Sequence, residues 1–432
     1  MASWRCGRRR ARRPDWIRLW ILGPGLILLA AASASACHPD DPVGPCVEQV
    51  AEDLSCDDDD PGDPGDPGEP GDPGDPGDPD PPLPRPLFAS YVALGSGLTA
   101  GYRSRGISPE SQIEAYPVLL ARAMGTPFDV PLLADPGCPA PILDAWTLER
   151  PPGGDVCAGR AFPTPDTVRN VAVPGTFIAD LERTGAELAA ANPLHAMLLG
   201  ERTQLEAALA ANPTFVTVEF GMDDAVAGYR LDAPVCCTDI AALWTDVVPK
   251  LVKKLVDHGV QGGVIIGPGL PYYAYFAAGE TLNTRFAEGD LPPTFQVSNC
   301  DNTSQNGHFS HIPFDYLRDL FQRSLLGESV RLDCLADPPV ITFLENFYTG
   351  NNMWRLFELG RYWFDQYGWI WTPQWATWPN TGLPNLPGSA DETFGPNYGL
   401  DGVYPTAEGH RIIASNIIKL INAKYGTSLA EQ

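Results

Sequence analysis

Short apolar runs alternate with stretches of helical spacing along most of the chain. Ser90–Gly95, Asn170–Val173, Thr214–Phe220, Gly263–Ile266 and Val340–Phe343 are continuous apolar segments of strand length. Between them, apolar residues at helical spacing predict helices over Ser111–Met124, Thr176–Ala191, Ile240–His258 and Thr406–Ala423. Pro117 should lie near the start of the first of these or kink it. Strand–helix alternation predicts an α/β, three-layer sandwich with a central parallel sheet. Sites in such sheets lie beyond the carboxyl ends of the strands. Ala278–Val330 and Glu345–Tyr398 break the rhythm and read as insertions. The second contains Trp354, Trp363, Trp369, Trp371, Trp375 and Trp378. Such a cluster could stack on sugars or lipids, but a self-packing cap over the sheet is the preferred reading.

The region before the folded part has a different pattern. Six arginines between Arg5 and Arg13 precede an apolar stretch, Ile17–Ala32, and then the small residues of Ala34-Ser35-Ala36-Cys37. This is the layout of a signal peptide over residues 1–36, with Cys37 as a candidate lipidated N-terminus. Cleavage near Ala36 without lipidation, giving a secreted protein, is the rival. The chain is therefore expected in a bacterial cell envelope, its membrane partner reached through the lipid on Cys37. Residues 37–86 form an acidic linker in which Gly-Asp-Pro repeats from Pro61 to Pro79. Like charges at every repeat oppose a collagen helix, so an extended spacer reaching roughly 90 Å is expected. Residues 87–432 make the folded domain.

The formal net charge is −25, much of it in this linker. No basic footprint for nucleic acid is present. Export places the cysteines in an oxidising compartment. Cys46, Cys56, Cys138, Cys157, Cys236, Cys237, Cys300 and Cys334 are disulfide candidates. Cys46 with Cys56 and Cys138 with Cys157 are plausible local pairs, whereas the partners of the adjacent Cys236 and Cys237 stay open.

Four short blocks carry chemistry. They are Val92-Ala93-Leu94-Gly95-Ser96-Gly97-Leu98-Thr99-Ala100-Gly101, Asn170-Val171-Ala172-Val173-Pro174-Gly175, Phe220-Gly221-Met222-Asp223-Asp224, and Asp401-Gly402-Val403-Tyr404-Pro405 followed by Gly409-His410. In this order the chain resembles the SGNH/GDSL hydrolase family. The resemblance implies a flavodoxin-like sheet and acyl-transfer chemistry by Ser, His and Asp, with an oxyanion hole of two N–H groups and an Asn amide. It places the nucleophile at Gly97, which has no side-chain oxygen. Ser96 is a candidate substitute, although it should point away and cap the next helix. The resemblance places the oxyanion-hole glycine at Gly175, the Asn amide at Asp223, the orienting carboxylate at Asp401 and the general base at Tyr404. An ionised Asp223 accepts hydrogen bonds and donates none. A phenol at position 404 is a poor base at neutral pH. His410 is expected to pack or cap, and nothing places His308 or His311 in the site.

The leading expectation is an exported module that has lost the usual Ser-His-Asp chemistry and binds an ester, glycan or lipid ligand in its cleft or acts structurally. The alternative is an active hydrolase of carbohydrate or lipid esters. It would use Ser96, or a relocated carboxylate site of Asp223, Asp224 and Asp401 able to hold Ca²⁺ or Mg²⁺. No cofactor is expected, and Asp224 reads first as a cap.

Overall fold

A computed structural model describes residues 85–163, 167–229, 240–267, 276–278, 292–299, 311–333, 336–337, 364, 366–373, 394 and 396–432. All belong to the unit Asp80–Gln432. The signal segment, the linker, the strand expected at Val340–Phe343, most of the aromatic insertion, His308, and Cys37, Cys46, Cys56, Cys236, Cys237, Cys300 and Cys334 lie outside the described residues.

The first strand, β1 (Tyr91–Gly95), is buried throughout and enters a short helix, α1 (Gly97–Ala100). Next come α2 (Pro109–Ile113) and α3 (Tyr116–Met124). These replace the single helix expected over Ser111–Met124. Ser108 caps α2 in a reciprocal box with Ser111, and Pro117 sits in the first turn of α3. Proline is tolerated there because that turn's N–H has no helical partner. The helix expected over Thr176–Ala191 is also divided. A 3₁₀ turn spans Ile178–Glu182, and α4 (Gly185–Ala191) starts afresh because Thr184 and Glu187 form a capping box.

The chain continues through α5 (Pro193–Leu199), α6 (Gln204–Ala210), β2 (Phe215–Glu219), α7 (Met222–Tyr229), α8 (Ile240–Asp257) and β3 (Gly262–Gly267). The region expected as a first insertion, with its flanks, carries β4 (Phe276–Ala278), β5 (Phe295–Ser298), β6 (His311–Pro313), α9 (Phe314–Leu325) and β7 (Val330–Asp333). These strands pair among themselves, β4 with β6 and β5 with β7. Last come β8 (Ile370–Pro373) and α10 (Ala407–Tyr425).

The central sheet is parallel, in the order β1-β2-β3-β8. Asn170–Val173 flanks β1 on the other side. It makes one bridge, with Val171 and Val173 N–H groups donating to the Ala93 and Gly95 carbonyls at 2.9 and 3.2 Å. With that segment counted second along the chain, the spatial order is 2-1-3-4-5, the flavodoxin-like arrangement. The fourth ladder strand, β8, comes from within the aromatic insertion, so that segment completes the sheet. Strand β1 shows why both faces are covered. Tyr91 and Ala93 enter the core beneath α3 and α10, while Val92 and Leu94 enter the core beneath α6 and α8. Cys138 and Cys157 form a disulfide, as their spacing suggested.

Candidate functional site

The sheet order reverses beside β1, and the carboxyl ends of β1 and β2 place four loops together there. Strand β1 delivers Ser96 and Gly97. The edge segment delivers Gly175, which the turn needs as glycine because its φ is +79°. Strand β2 delivers Glu219 and, through the start of α7, Asp223 and Asp224. The loop before α10 delivers Asp401 and Tyr404.

Asp223 is the centre of the arrangement. Its carboxylate accepts the Gly97 N–H at 3.2 Å, the Gly175 N–H at 2.6 Å and the Tyr404 hydroxyl at 2.5 Å. Those two N–H groups are the ones that the family resemblance assigns to the oxyanion hole. A carboxylate that belongs to the protein is therefore bound where a reacting ester's oxygen would be stabilised. The Gly97 position is closed as well. A Cβ built there would lie 2.8 Å from Tyr404 Cε1 and 3.0 Å from its Oη. The Tyr404 ring cannot give way cheaply. Asp401 accepts the N–H groups of Val403 and Tyr404, both at 2.9 Å, Asp223 holds the hydroxyl, and Tyr102 packs edge-on at 5.0 Å. Burial and the neighbouring Asp223 charge push the Tyr404 phenol far above its ordinary range, so it donates and does not act as a base.

Ser96 does not cap α1. Its hydroxyl donates to Glu219 at 3.0 Å, and its own N–H donates to the same carboxyl at 3.2 Å. The helix start offers only N–H donors, whereas the Ser96 hydroxyl hydrogen needs an acceptor, and the buried Glu219 carboxyl supplies it. Ser96 thus turns to Glu219, the acid that closes β2. Glu219 was not visible as a site residue in the sequence. The one signal was an acid closing the apolar strand Phe215–Glu219. It is 1% exposed and also takes the Thr99 hydroxyl at 3.2 Å. Burial, then repulsion from Asp223, raise its pKa from 4.5 to about 7. Burial raises Asp223 too. The Tyr404 hydroxyl and the Gly175 and Gly97 N–H groups oppose that rise at Asp223, as the Ser96 and Thr99 donors do at Glu219.

The remaining residues have supporting places. Asp401 also accepts the Arg105 N–H at 3.0 Å, so it fixes the loop that carries Tyr404. Asp224 accepts the Ile178 N–H at 3.1 Å, at the start of the 3₁₀ turn, and burial raises it to about 7. His410 is fully buried on α10. Its Nδ1 accepts the Tyr116 N–H, and burial lowers its pKa to about 3. Gln204, also unnoticed in the sequence, grips both the N–H and the carbonyl of Gly95 at 2.9 Å. No group of three His, Cys, Asp or Glu able to hold a metal occurs among the described residues. Asp223, Asp224 and Asp401 each turn their oxygens to backbone N–H donors instead.

Two measurements test this geometry. Alanine at a helical glycine ordinarily gains up to about 1 kcal/mol, but overpacking a filled core typically loses about 1–3 kcal/mol. Gly97→Ala should therefore destabilise, and the loss should largely vanish in a Tyr404→Ala background. A neutral Gly97→Ala in urea unfolding would contradict the close packing. The second concerns pH. Between about 4.5 and 7, Glu219 binds a proton only in the folded state, so its contribution to stability falls as pH rises. His410 has the opposite sign, its contribution being lost as pH falls from 6.5 toward about 3. The comparison with Glu219→Gln isolates the first effect. The variant should gain on the parent by roughly 3 kcal/mol in total as pH rises through that window. A pH-independent difference would show that Glu219 titrates normally.

No protein-family model and no curated protein matches the chain. Solved structures similar to it include a catalytic mutant of an acetylxylan esterase from Geobacillus stearothermophilus, at 12% identity over 79% of this chain and 96% of that one, with a TM-score of 0.32. An alpha/beta hydrolase from the metagenome of Lake Arreo, Spain, is similar at 13% identity over 79% and 97%, TM-score 0.31. A GDSL-like lipase from Parabacteroides merdae is similar at 11% identity over 76% and 93%, TM-score 0.28. Likeness at this level says nothing about chemistry. On its own strand order, and on the meeting of its four blocks at the sheet's switch point, the domain is SGNH/GDSL hydrolase-like in fold.

Proposed function

We propose that this chain is an exported binding module on an SGNH-like fold, held in the cell envelope through Cys37 and without Ser-dependent ester hydrolysis. One observation carries the reading. The Asp223 carboxylate takes the Gly97 and Gly175 N–H groups and the Tyr404 hydroxyl, leaving no donor for a developing oxyanion. Loss of one oxyanion donor commonly removes a factor of 10² to 10³ from kcat, and here a negative charge also sits in its place. Glycine at the nucleophile position and a protonated phenol at the base position act in the same direction.

A second reading draws on the Ser96–Glu219 hydrogen bond at 3.0 Å, a hydroxyl beside a carboxyl group near neutrality. Both residues are buried, Ser96 at 0% and Glu219 at 1% exposure. A substrate carbonyl would have to enter a closed core, so this reading ranks second.

The full chain should show no turnover of short-chain aryl esters above the uncatalysed rate. Restoration needs three changes together, Gly97→Ser, Asp223→Asn and Tyr404→His, because a side chain at position 97 meets the Tyr404 ring. Parent turnover that disappears in Ser96→Ala would overturn the proposal in favour of the second reading. For the anchor, Cys37→Ala expressed in a bacterial host should move the protein from the membrane pellet to the soluble fraction. An unchanged distribution would remove Cys37 from the proposal.

A further inference from the structure

Strands β5 and β7 pair in parallel, with Ser298 opposite Asp333 at their carboxyl ends. Phe295, Val330 and Leu332 are buried in the core, whereas Gln296 and Arg331 face outward. Each strand runs on toward a cysteine. Cys300 follows Asn299, and Cys334 follows Asp333. Both cysteines lie outside the described residues, so their relation is argued from the residues that lead into them.

Continuing the register sets Cys300 and Cys334 one step diagonal across the ladder. Strands about 4.8 Å apart that rise about 3.3 Å per residue put diagonal Cα atoms about 6 Å apart. Disulfides span Cα separations of roughly 4.4–6.8 Å. Strict alternation would turn a diagonal pair to opposite faces. The end of β5 removes that obstacle. The Ser298 hydroxyl accepts Arg331 Nε–H at 3.1 Å, and Asn299, at φ +54°, donates its amide to the Asp333 carboxylate at 2.9 Å. Two successive residues of β5 thus meet the outward side chains of β7, as at a bulge. One step of alternation is lost there, and the residue that follows each strand falls to the same face. Beyond Asp333 the chain turns at once. The Asp333 carbonyl accepts the Ala336 and Asp337 N–H groups at 3.1 and 2.9 Å. The Asp337 carboxylate accepts the Asp333 N–H and the Tyr316 hydroxyl, both at 2.9 Å. That turn leaves Cys334 no path away from the end of β7.

We infer that Cys300 and Cys334 form a disulfide that clips the ends of β5 and β7 together, which takes both away from Cys236 and Cys237. Two thiols give up two protons and two electrons. A disulfide oxidant, such as oxidised glutathione, takes them up and leaves as two thiols. The bond closes the chain segment that carries α9. Asp315 on α9 pairs with Arg105, whose N–H holds Asp401 in the loop of Tyr404. The clip therefore braces that loop through α9.

The test equilibrates the full chain with oxidised and reduced glutathione, blocks free thiols with N-ethylmaleimide and maps the unreduced digest by mass spectrometry. A peptide pair joined through Cys300 and Cys334, and parted by dithiothreitol, is expected. Blocked thiols at both positions, or a link from either to Cys236 or Cys237, overturn the inference. The oxidant is supplied, so the outcome is independent of whether the chain is exported. Thermal unfolding gives a second reading. Cys300→Ser, Cys334→Ser and the double variant should each lower the midpoint by about 5 °C or more, and by the same amount, because losing either sulfur breaks the one bond. A double variant that loses the sum of the two singles points to bridges with separate partners and overturns the inference, as does an unchanged midpoint in all three.

Discussion

The Asp223 carboxylate ties together three chain segments that are far apart in sequence. The Gly97 N–H belongs to the turn after β1, the Gly175 N–H to the edge segment, and the Tyr404 hydroxyl to the loop before α10. The Gly97 N–H and the Tyr404 hydroxyl would otherwise be buried polar groups without a partner, each costing on the order of 1–3 kcal/mol. One charged acceptor satisfies all three, and charge-assisted bonds are the stronger kind. The occupied N–H pair and the anchored hydroxyl of Tyr404 follow from that one placement.

A buried charge is weak evidence for stability by itself, because desolvation opposes the bonds it makes. The centre limits this penalty by surrounding both acids with hydrogen-bond donors. Ser96 donates both its N–H and its hydroxyl to Glu219. Behind Glu219, Thr99 bonds to the Tyr116 hydroxyl at 2.9 Å, and Tyr91 bonds to Thr217 at 2.8 Å, so the polar groups under α3 are also matched. The group at the sheet's switch point is thus a hydrogen-bonded polar core. The same logic reaches the insertion. Arg105, whose N–H holds Asp401, sends its guanidinium to Asp315 on α9, where Arg318 joins at 2.6 Å. The loop that carries Tyr404 is thus braced from outside the core sheet.

The sequence by itself determined the first three strands of the central ladder and the residues that stand at the four blocks. Each core strand is a run buried on both faces, so composition alone marks β1, β2 and β3 within a residue or so of their ends. Glycine at 97 and tyrosine at 404 are likewise facts of the chain, and neither offers the hydroxyl or imidazole that the family resemblance places there. Local chemistry was legible where it was attended to, as with Pro117 at a helix start, and missed at the Thr184–Glu187 capping box that divides an expected helix.

Only the tertiary structure decided the partners. Asp223 bonds to residues 126 and 181 positions away, and Ser96 bonds to Glu219 across 123. Periodicity records how often a residue is buried and carries nothing about which distant donor it meets. For that reason Ser96 could be read as a cap, Glu219 passed as the end of a strand, and β8 lay hidden in an aromatic-rich insertion until pairing with β3 defined it. The sequence could say which groups were lost from the centre. The fold supplied what filled their place, because a buried carboxylate goes where the unsatisfied donors are.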